Sequence, residues 1–219
     1  MSEQELNGAI LQRDKRTYAI VPRTPLGLVT PEILESIARA ARKFDIPIIK
    51  ITSGQRIALV GIEPDKVADV WQDMALEVGR AVEPCMHYVQ ACPGTEVCKF
   101  GQQDSLGLGA RLDKEFVGME LPGKAKIGVS GCPMNCGESY VRDFGCFGKK
   151  NGWTVVVGGN AGAKPRIGDV IAEDVSDDEV VALAAKYFDY YKANAKPKER
   201  TSKFVNRVGI EEVKKAILC

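Results

Sequence analysis

Apolar positions in the first third of the chain fall into alternating and helical runs by turns. TYAIVPR alternates and predicts a strand. Thr30-Pro31 has the form of an N-cap followed by proline at the first helical position. Ile33, Leu34, Ile37, Ala38 and Ala41 then recur at helical spacing. IPIIKIT (46–52) predicts a strand, Gly54 interrupts it, and QRIALVGI continues as another, which would put Arg56 on the same strand face as Gly54. Pro64 opens a second helix with Val67, Val70, Trp71 and Met74 on one face, and Gly79 ends it. The order β-α-β-β-α over residues 17–78 predicts a compact α+β half-domain, preceded by a polar, loose arm over residues 1–16.

The remainder, 79–219, reads as a second α+β domain. It begins with a stretch rich in Cys, Pro and Gly, EPCMHYVQACPGTEVCKFG, followed by a helix over roughly 104–117. KAKIGVS alternates and runs as a strand into GCPMNCGES. A hairpin through Lys149–Gly152 leads to the strand WTVVV and then to the glycine-rich GGNAGAKPR. Ser176 and Glu179 form a capping box for a long helix bearing Val180, Leu183, Ala184, Tyr187 and Tyr191, and the tail 199–218 is helical.

Composition narrows the function. Of 219 residues, 45% are hydrophobic, enough for a packed core. The 30 basic and 29 acidic residues balance, so no overall field points to nucleic acid or to a membrane surface. No apolar run approaches the roughly 20 residues of a membrane helix. MSEQELNGAI has no basic region leading into an apolar stretch, so a cytoplasmic location is expected, where thiols stay reduced and act as ligands.

The chemistry lies in seven cysteines, Cys85, Cys92, Cys98, Cys132, Cys136, Cys146 and Cys219, beside a single histidine, His87. Five residues separate Cys92 from Cys98, and three separate Cys132 from Cys136. Four thiolates in Pro- and Gly-bearing loops suit a [4Fe–4S] cluster, one per iron. Structural zinc is the nearest competitor, but it favours tighter C-x₂₋₄-C knuckles. Buried thiols packing as small hydrophobes are the plainest alternative. GLGLGAR lacks the preceding strand and third glycine of a dinucleotide turn, so electrons are expected from another protein.

ACPGTEVC followed by SGCPMNCGES resembles the cysteine signature of the sirohaem-dependent nitrite and sulfite reductases. KITSGQRIALVGI is similar to that family's ferredoxin-like "parachute" half-domain, and LPGKAKIGVSGC to the strand entering the second cysteine pair. VVVGGNAGAKPRIGD is similar to the family's sirohaem-contacting loop, and ERTSKFVNRVGIEE to its C-terminal tail. Together these span about residues 17–215 and identify the chain as a small single-module, assimilatory-type member. The resemblance implies that Cys92, Cys98, Cys132 and Cys136 hold the cluster and that Cys136 bridges it to the sirohaem iron. It implies sirohaem contacts at Thr52, Gln55, Arg56, Asn135, Cys136, Arg142, Gly158, Gly159, Asn160 and Arg166. Arginine suits a carboxylate-rich macrocycle because it grips carboxylates in pairs. Lys99 is a further cationic candidate. Lys124, Lys126, Arg56 and His87 would face a small oxyanion. Paired lysines bind an anion and deliver protons as oxygen leaves as water.

The implied activity is reduction of sulfite to sulfide, or of nitrite to ammonia, with an external ferredoxin-like or reductase-subunit donor. His87 stands where the family often has a substrate arginine. It either donates a proton to the anion or caps the haem iron, and the latter would make a non-catalytic electron-transfer or sensing protein. A haem-free ferredoxin-like or zinc-stabilised carrier would not need the glycine-rich loop or the KAKIG strand. Larger members fuse two copies of the module, so a homodimer is one expectation for a single copy.

Overall fold

The structure is a computed structural model that describes residues 8–218 and divides into two compact units at Glu83/Pro84. The first unit contains β1 (Ile10–Leu11), β2 (Tyr18–Ile20), α1 (Pro31–Lys43), β3 (Ile48–Ile51), β4 (Ile57–Ile62) and α2 (Val67–Met74). Its strands form one antiparallel sheet in the order β1-β2-β4-β3. Thr30 caps α1, its side-chain oxygen accepting from the Ile33 amide at 3.4 Å. Ile20, Ile37, Ala40, Leu59, Val67, Val70 and Met74 form the core between sheet and helices.

Three expectations for this unit change. The arm over 1–16 is not all loose: Ile10 and Leu11 pair with Ala19 and Tyr18, while residues 1–7 lie outside the described residues. The second helix stops at Met74 rather than at Gly79, because Ala75 turns left-handed at φ 53° and its amide bonds Trp71 O. Gly79 instead donates to Val21 O at 2.9 Å. Gln55 and Arg56 belong to a turn, so Arg56 does not share a strand face with Gly54. Thr52 N donates to Arg56 O at 2.8 Å, Gln55 sits at φ 58°, and β4 starts only at Ile57.

The second unit contains β5 (Met86–Ala91), α3 (Ser105–Phe116), β6 (Ala125–Ser130), β7 (Phe144–Lys149), β8 (Gly152–Val157), β9 (Asp169–Val175), α4 (Asp177–Asn194), α5 (Thr201–Val208) and α6 (Ile210–Leu218). The sheet order is β5-β6-β7-β8-β9, the first three strands parallel and the last two antiparallel. Every residue of β5 and of β8 is buried, so neither shows the alternation of a half-exposed strand. Phe116, Phe144, Tyr187 and Phe188 join α3, β7 and α4 in a ring cluster with centroids 5.3–6.1 Å apart. The Ser176 capping box closes in both directions, with Ser176 N donating to Glu179 Oε2 at 2.7 Å. The helical tail is two helices broken at Gly209, φ 91°.

Parallel neighbours need a crossover. Between β5 and β6 it contains α3. Between β6 and β7 it is residues 131–143, with no more than one short 3₁₀ turn, Ser139–Val141. This second crossover lies flat on the sheet where Gly128 of β6 and Gly145 of β7 face each other in register. A Cβ at Gly128 would come within 2.6 Å of Gly137 O, and one at Gly145 within 2.1 Å of Ser139 O. Among the described residues no helix is long and apolar enough to cross a membrane.

Phe188 is fully buried in the ring cluster, whereas Ser176 acts at an exposed helix start. Phe188→Ala is expected to lower unfolding free energy by about 3–5 kcal/mol, and Ser176→Ala by about 1 kcal/mol. Urea titration of both variants checks the order. An equal loss in the two would contradict a stability centred on the rings.

Candidate functional site

Both crossovers begin with a cysteine pair. β5 and β6 end in register, Ala91 opposite Val129, and the chain leaves β5 directly into Cys92. Cys92 N donates to Val129 O at 3.1 Å, and β6 continues through Gly131 into Cys132. The leading cysteines therefore stand at the carboxyl ends of adjacent parallel strands, where open sheets of this kind hold their ligands. Cys98 closes a 3₁₀ turn, its amide donating to Gly94 O at 3.0 Å.

The two loops touch backbone to backbone. A Cβ on Gly131 would fall 2.6 Å from Gly94 Cα, and Gly94 itself has φ 56°. Gln102 N and Gln103 N both donate to Gly131 O, at 2.8 and 3.0 Å. Gly131 N donates to the Cys92 sulfur at 3.1 Å, and Ser105 Oγ lies 3.5 Å from the same sulfur. The Gly131 amide points its hydrogen at that sulfur, whereas the Ser105 hydroxyl donates to Cys92 O at 2.7 Å. In the second loop, Asn135 and Glu138 take left-handed backbone at φ 60° and 57°. Asn135 N donates to Cys132 O at 3.3 Å, and its side-chain oxygen accepts from Tyr140 N at 3.3 Å.

Cys92 and Cys132 are buried, Cys98 is half-buried and Cys136 is exposed. No three of their sulfurs lie within 4.8 Å of one another, the convergence a single ion would require. A tetrahedral zinc with ligands about 2.3 Å from the metal does not fit that spread. A cubane, whose thiolates bind four different irons, does not require that convergence. Cys85 and Cys146 are buried elsewhere, and burial pushes the Cys146 thiol far above its ordinary pKa. Cys219 lies outside the described residues.

Cations gather beside the second loop. Lys126 lies in β6 and Lys124 immediately precedes the strand, both half-buried. Lys126 pairs in register with Tyr88 of β5, its Nζ 5.5 Å from the ring centroid. Arg142 is buried, its Cζ 6.0 Å from the same centroid. It donates to Gln90 Oε1 at 2.7 Å and forms an ion pair with Glu138, while its Nε is buried without a hydrogen-bond partner. Next in sequence, buried Asp143 accepts from Lys126 N at 2.9 Å, from Arg200 Nη2 at 3.1 Å and from Thr201 Oγ1 at 2.5 Å. Burial pushes the Asp143 carboxyl up, and the Arg200 charge and the Thr201 hydroxyl pull against that shift.

The glycine-rich loop rests on the same crossover: a Cβ on Gly159 would lie 2.5 Å from Tyr140 O. Gly158 turns at φ 74°. Asn160 and Arg166 bond each other's backbone at 2.8 and 2.9 Å. The Arg166 guanidinium is engaged by Asp169 at 2.5 Å, Asn206 at 2.8 Å and Gly158 O at 3.0 Å, so it clamps its own loop. Lys99 is exposed, its Nζ 4.9 Å from the Phe100 centroid. His87 is 5% exposed at the irregular start of β5. Thr52, Gln55 and Arg56 belong to the first unit, where Arg56 Nη1 donates to Arg80 O at 2.5 Å.

The second unit thus unites the cysteines, Lys126, Arg142 and Gly159. Tyr88, Gln90, Glu138, Asp143 and Arg200 complete the surroundings and were not singled out from sequence. For Tyr88 and Gln90 the missing signal was the strand itself. Asp143 and Arg200 carried none, since 57 residues separate them.

Residues 83–218 match the family described as "Nitrite and sulphite reductase 4Fe-4S domain", and residues 10–76 match "Nitrite/Sulfite reductase ferredoxin-like half domain". The chain belongs to the nitrite and sulphite reductase family. Within it, the chain is 58% identical to "Sulfite reductase, assimilatory-type" of Nitratidesulfovibrio vulgaris, over 98% of both chains. It is 39% identical to "Nitrite reductase [NAD(P)H]" of Bacillus subtilis, spanning 26% of that enzyme. By fold it resembles dissimilatory sulfite reductase I, with TM-score 0.82, 14% identity and coverage of 92% of this chain and 69% of that one. It also resembles the NirA protein of Mycobacterium tuberculosis, with TM-score 0.77, 19% identity and coverage of 92% and 40%. The family's cofactors are a [4Fe–4S] cluster and sirohaem. The residues present fit both: the sulfurs are spread too widely for one ion, and the buried Arg142 Nε lacks a partner that an anionic cofactor would supply.

Gly131→Ala would force the two cysteine loops apart. The variant is expected to keep its far-ultraviolet circular dichroism but to carry less than half the wild-type iron after anaerobic reconstitution. Full iron content would show that the backbone contact is not needed.

Proposed function

We propose that the protein reduces sulfite to sulfide, with nitrite as the alternative anion. The observation that carries this reading is the pairing of a full-length relative described as a sulfite reductase with two cysteine loops held together at the ends of β5 and β6. In this reading Cys92, Cys98, Cys132 and Cys136 would hold the cluster, and Cys136, the exposed one, would be the residue on the sirohaem side. Arg142, Asn135, Gly158, Gly159 and Asn160 form the sirohaem-binding wall of the second unit, with Arg166 bracing the loop. Bound there, the two cofactors would supply electrons one at a time for reduction of the anion.

The chain's own residues bind the anion and manage protons. Lys124 and Lys126 set two ammonium groups on one strand face. Each offsets part of the anion's charge and holds a proton at Nζ for an oxygen departing as water. His87 adds an imidazole held in β5. Electrons come from a separate donor protein, and a second copy of the chain is the natural partner for a single module.

Anaerobic assay with reduced methyl viologen is expected to yield sulfide from sulfite faster than ammonia from nitrite; the reverse order would make nitrite the substrate. In the same preparations Cys136→Ser should disturb the optical spectra of both cofactors, and Cys146→Ser should leave them intact. Loss of the cluster in Cys146→Ser alone would overturn the ligand set.

His87 carries the second reading, because its burial inside β5 suits a fixed axial ligand as well as a proton donor. On the substrate-side role, His87→Ala lowers sulfite affinity and leaves the spin state seen by EPR unchanged. Conversion from low to high spin in that variant would instead mark a capped, non-catalytic electron-transfer or sensing protein.

A further inference from the structure

We propose that Tyr88 is a positioning residue, its ring holding Lys126 and Arg142 so that the lysine meets the anion with its conformation already chosen. The inference rests on the reading of Lys126 as a substrate lysine. The parallel register of β5 and β6 places Tyr88 opposite Lys126. The ring is 6% exposed, with Lys126 Nζ 5.5 Å and Arg142 Cζ 6.0 Å from its centroid. The electron-rich ring face attracts cations, more strongly where water is excluded.

Arg142 is pinned from its other side by Gln90, two residues along the same strand from Tyr88, and by Glu138. The Lys126 backbone amide donates to Asp143 Oδ2 at 2.9 Å. The strand therefore keeps its place when the ring is changed, and the ring acts on the flexible end of the lysine. That end has four rotatable carbons whose ordering an incoming anion would otherwise have to impose. The ring offsets part of the repulsion between the two cations and favours the protonated lysine, the form that binds an anion and gives up a proton. The π face does this, not the hydroxyl, so phenylalanine substitutes for tyrosine and leucine does not.

The test uses the holoenzyme with Tyr88→Leu, Tyr88→Phe, Lys126→Met and the Tyr88→Leu/Lys126→Met double variant, each checked for iron content and haem spectrum. Tyr88→Leu is expected to keep both cofactors and to raise the KM for sulfite about three- to thirtyfold, the range of a cation–ring contact. The alkaline limb of its kcat/KM profile should move to lower pH, because the lysine loses a group that favoured its charge. Tyr88→Phe should stay within about twofold of wild type, and the leucine effect should vanish in the Lys126→Met background. The proposal is overturned if Tyr88→Leu changes nothing, if Tyr88→Leu loses the cofactors, if Tyr88→Phe is as impaired as leucine, or if the leucine effect persists undiminished without Lys126. Wild-type kinetics in Lys126→Met alone is a separate failure: it removes the lysine's role itself.

Discussion

The site depends on two parallel strands ending level with each other. β5 and β6 run in register up to Ala91 and Val129, and the chain goes from each almost at once into a cysteine. With no side chain between Gly94 and Gly131, the loops close on each other, and the Gly131 amide reaches the Cys92 sulfur. The same register that aligns the cysteines also sets Tyr88 against Lys126 one turn of pleat earlier. The cysteine loops and the Tyr88–Lys126 contact are thus set by one strand pairing, and a slip by one residue would turn these groups to the other face.

Charge is organised on the same scale. The chain as a whole is near neutral, with formal net charge +1, so any affinity for anions has to be local. Arg142 meets Glu138, Arg200 meets Asp143 and Arg166 meets Asp169, each within or beside the second cysteine loop. A buried cation without such a partner would be costly, and with one it stands in a fixed place. The partners leave some capacity unused, as the Arg142 Nε shows. The surroundings of the loop are therefore ordered by protein contacts while keeping donors for a further anion.

Much of this was legible in sequence, for identifiable reasons. The spacing of the four cysteines pointed to the family that the comparisons show, and Thr30-Pro31 and Ser176-Glu179 carry helix starts in the residues themselves. β5 was not legible because burial on both faces erases alternation, and His87 and Gln90 inside it read as loop residues. Arg56 was misplaced because the left-handed turn at Gln55 leaves no mark when the residue is not glycine. Gly79 looked like a helix stop, but Ala75 had already ended the helix, and the glycine serves a close approach to Val21. Asp143 was invisible because its importance comes from Arg200 and Thr201, far along the chain.

The crossover from β6 to β7 also sets how the chain's length can vary. Residues 131–143 lie on the paired glycines of the sheet with backbone oxygens against them, and their two ends are fixed by strands already in register. An added residue has nowhere to bulge without lifting the segment from the sheet and carrying Cys132 and Cys136 with it. The exposed turn at residues 161–165 is closed at its neck by Asn160 and Arg166 and carries no such load. An insertion or deletion there would leave the cysteine crossover untouched, whereas one within its thirteen residues would displace both cysteines, so the segment tolerates a change of side chain better than a change of length.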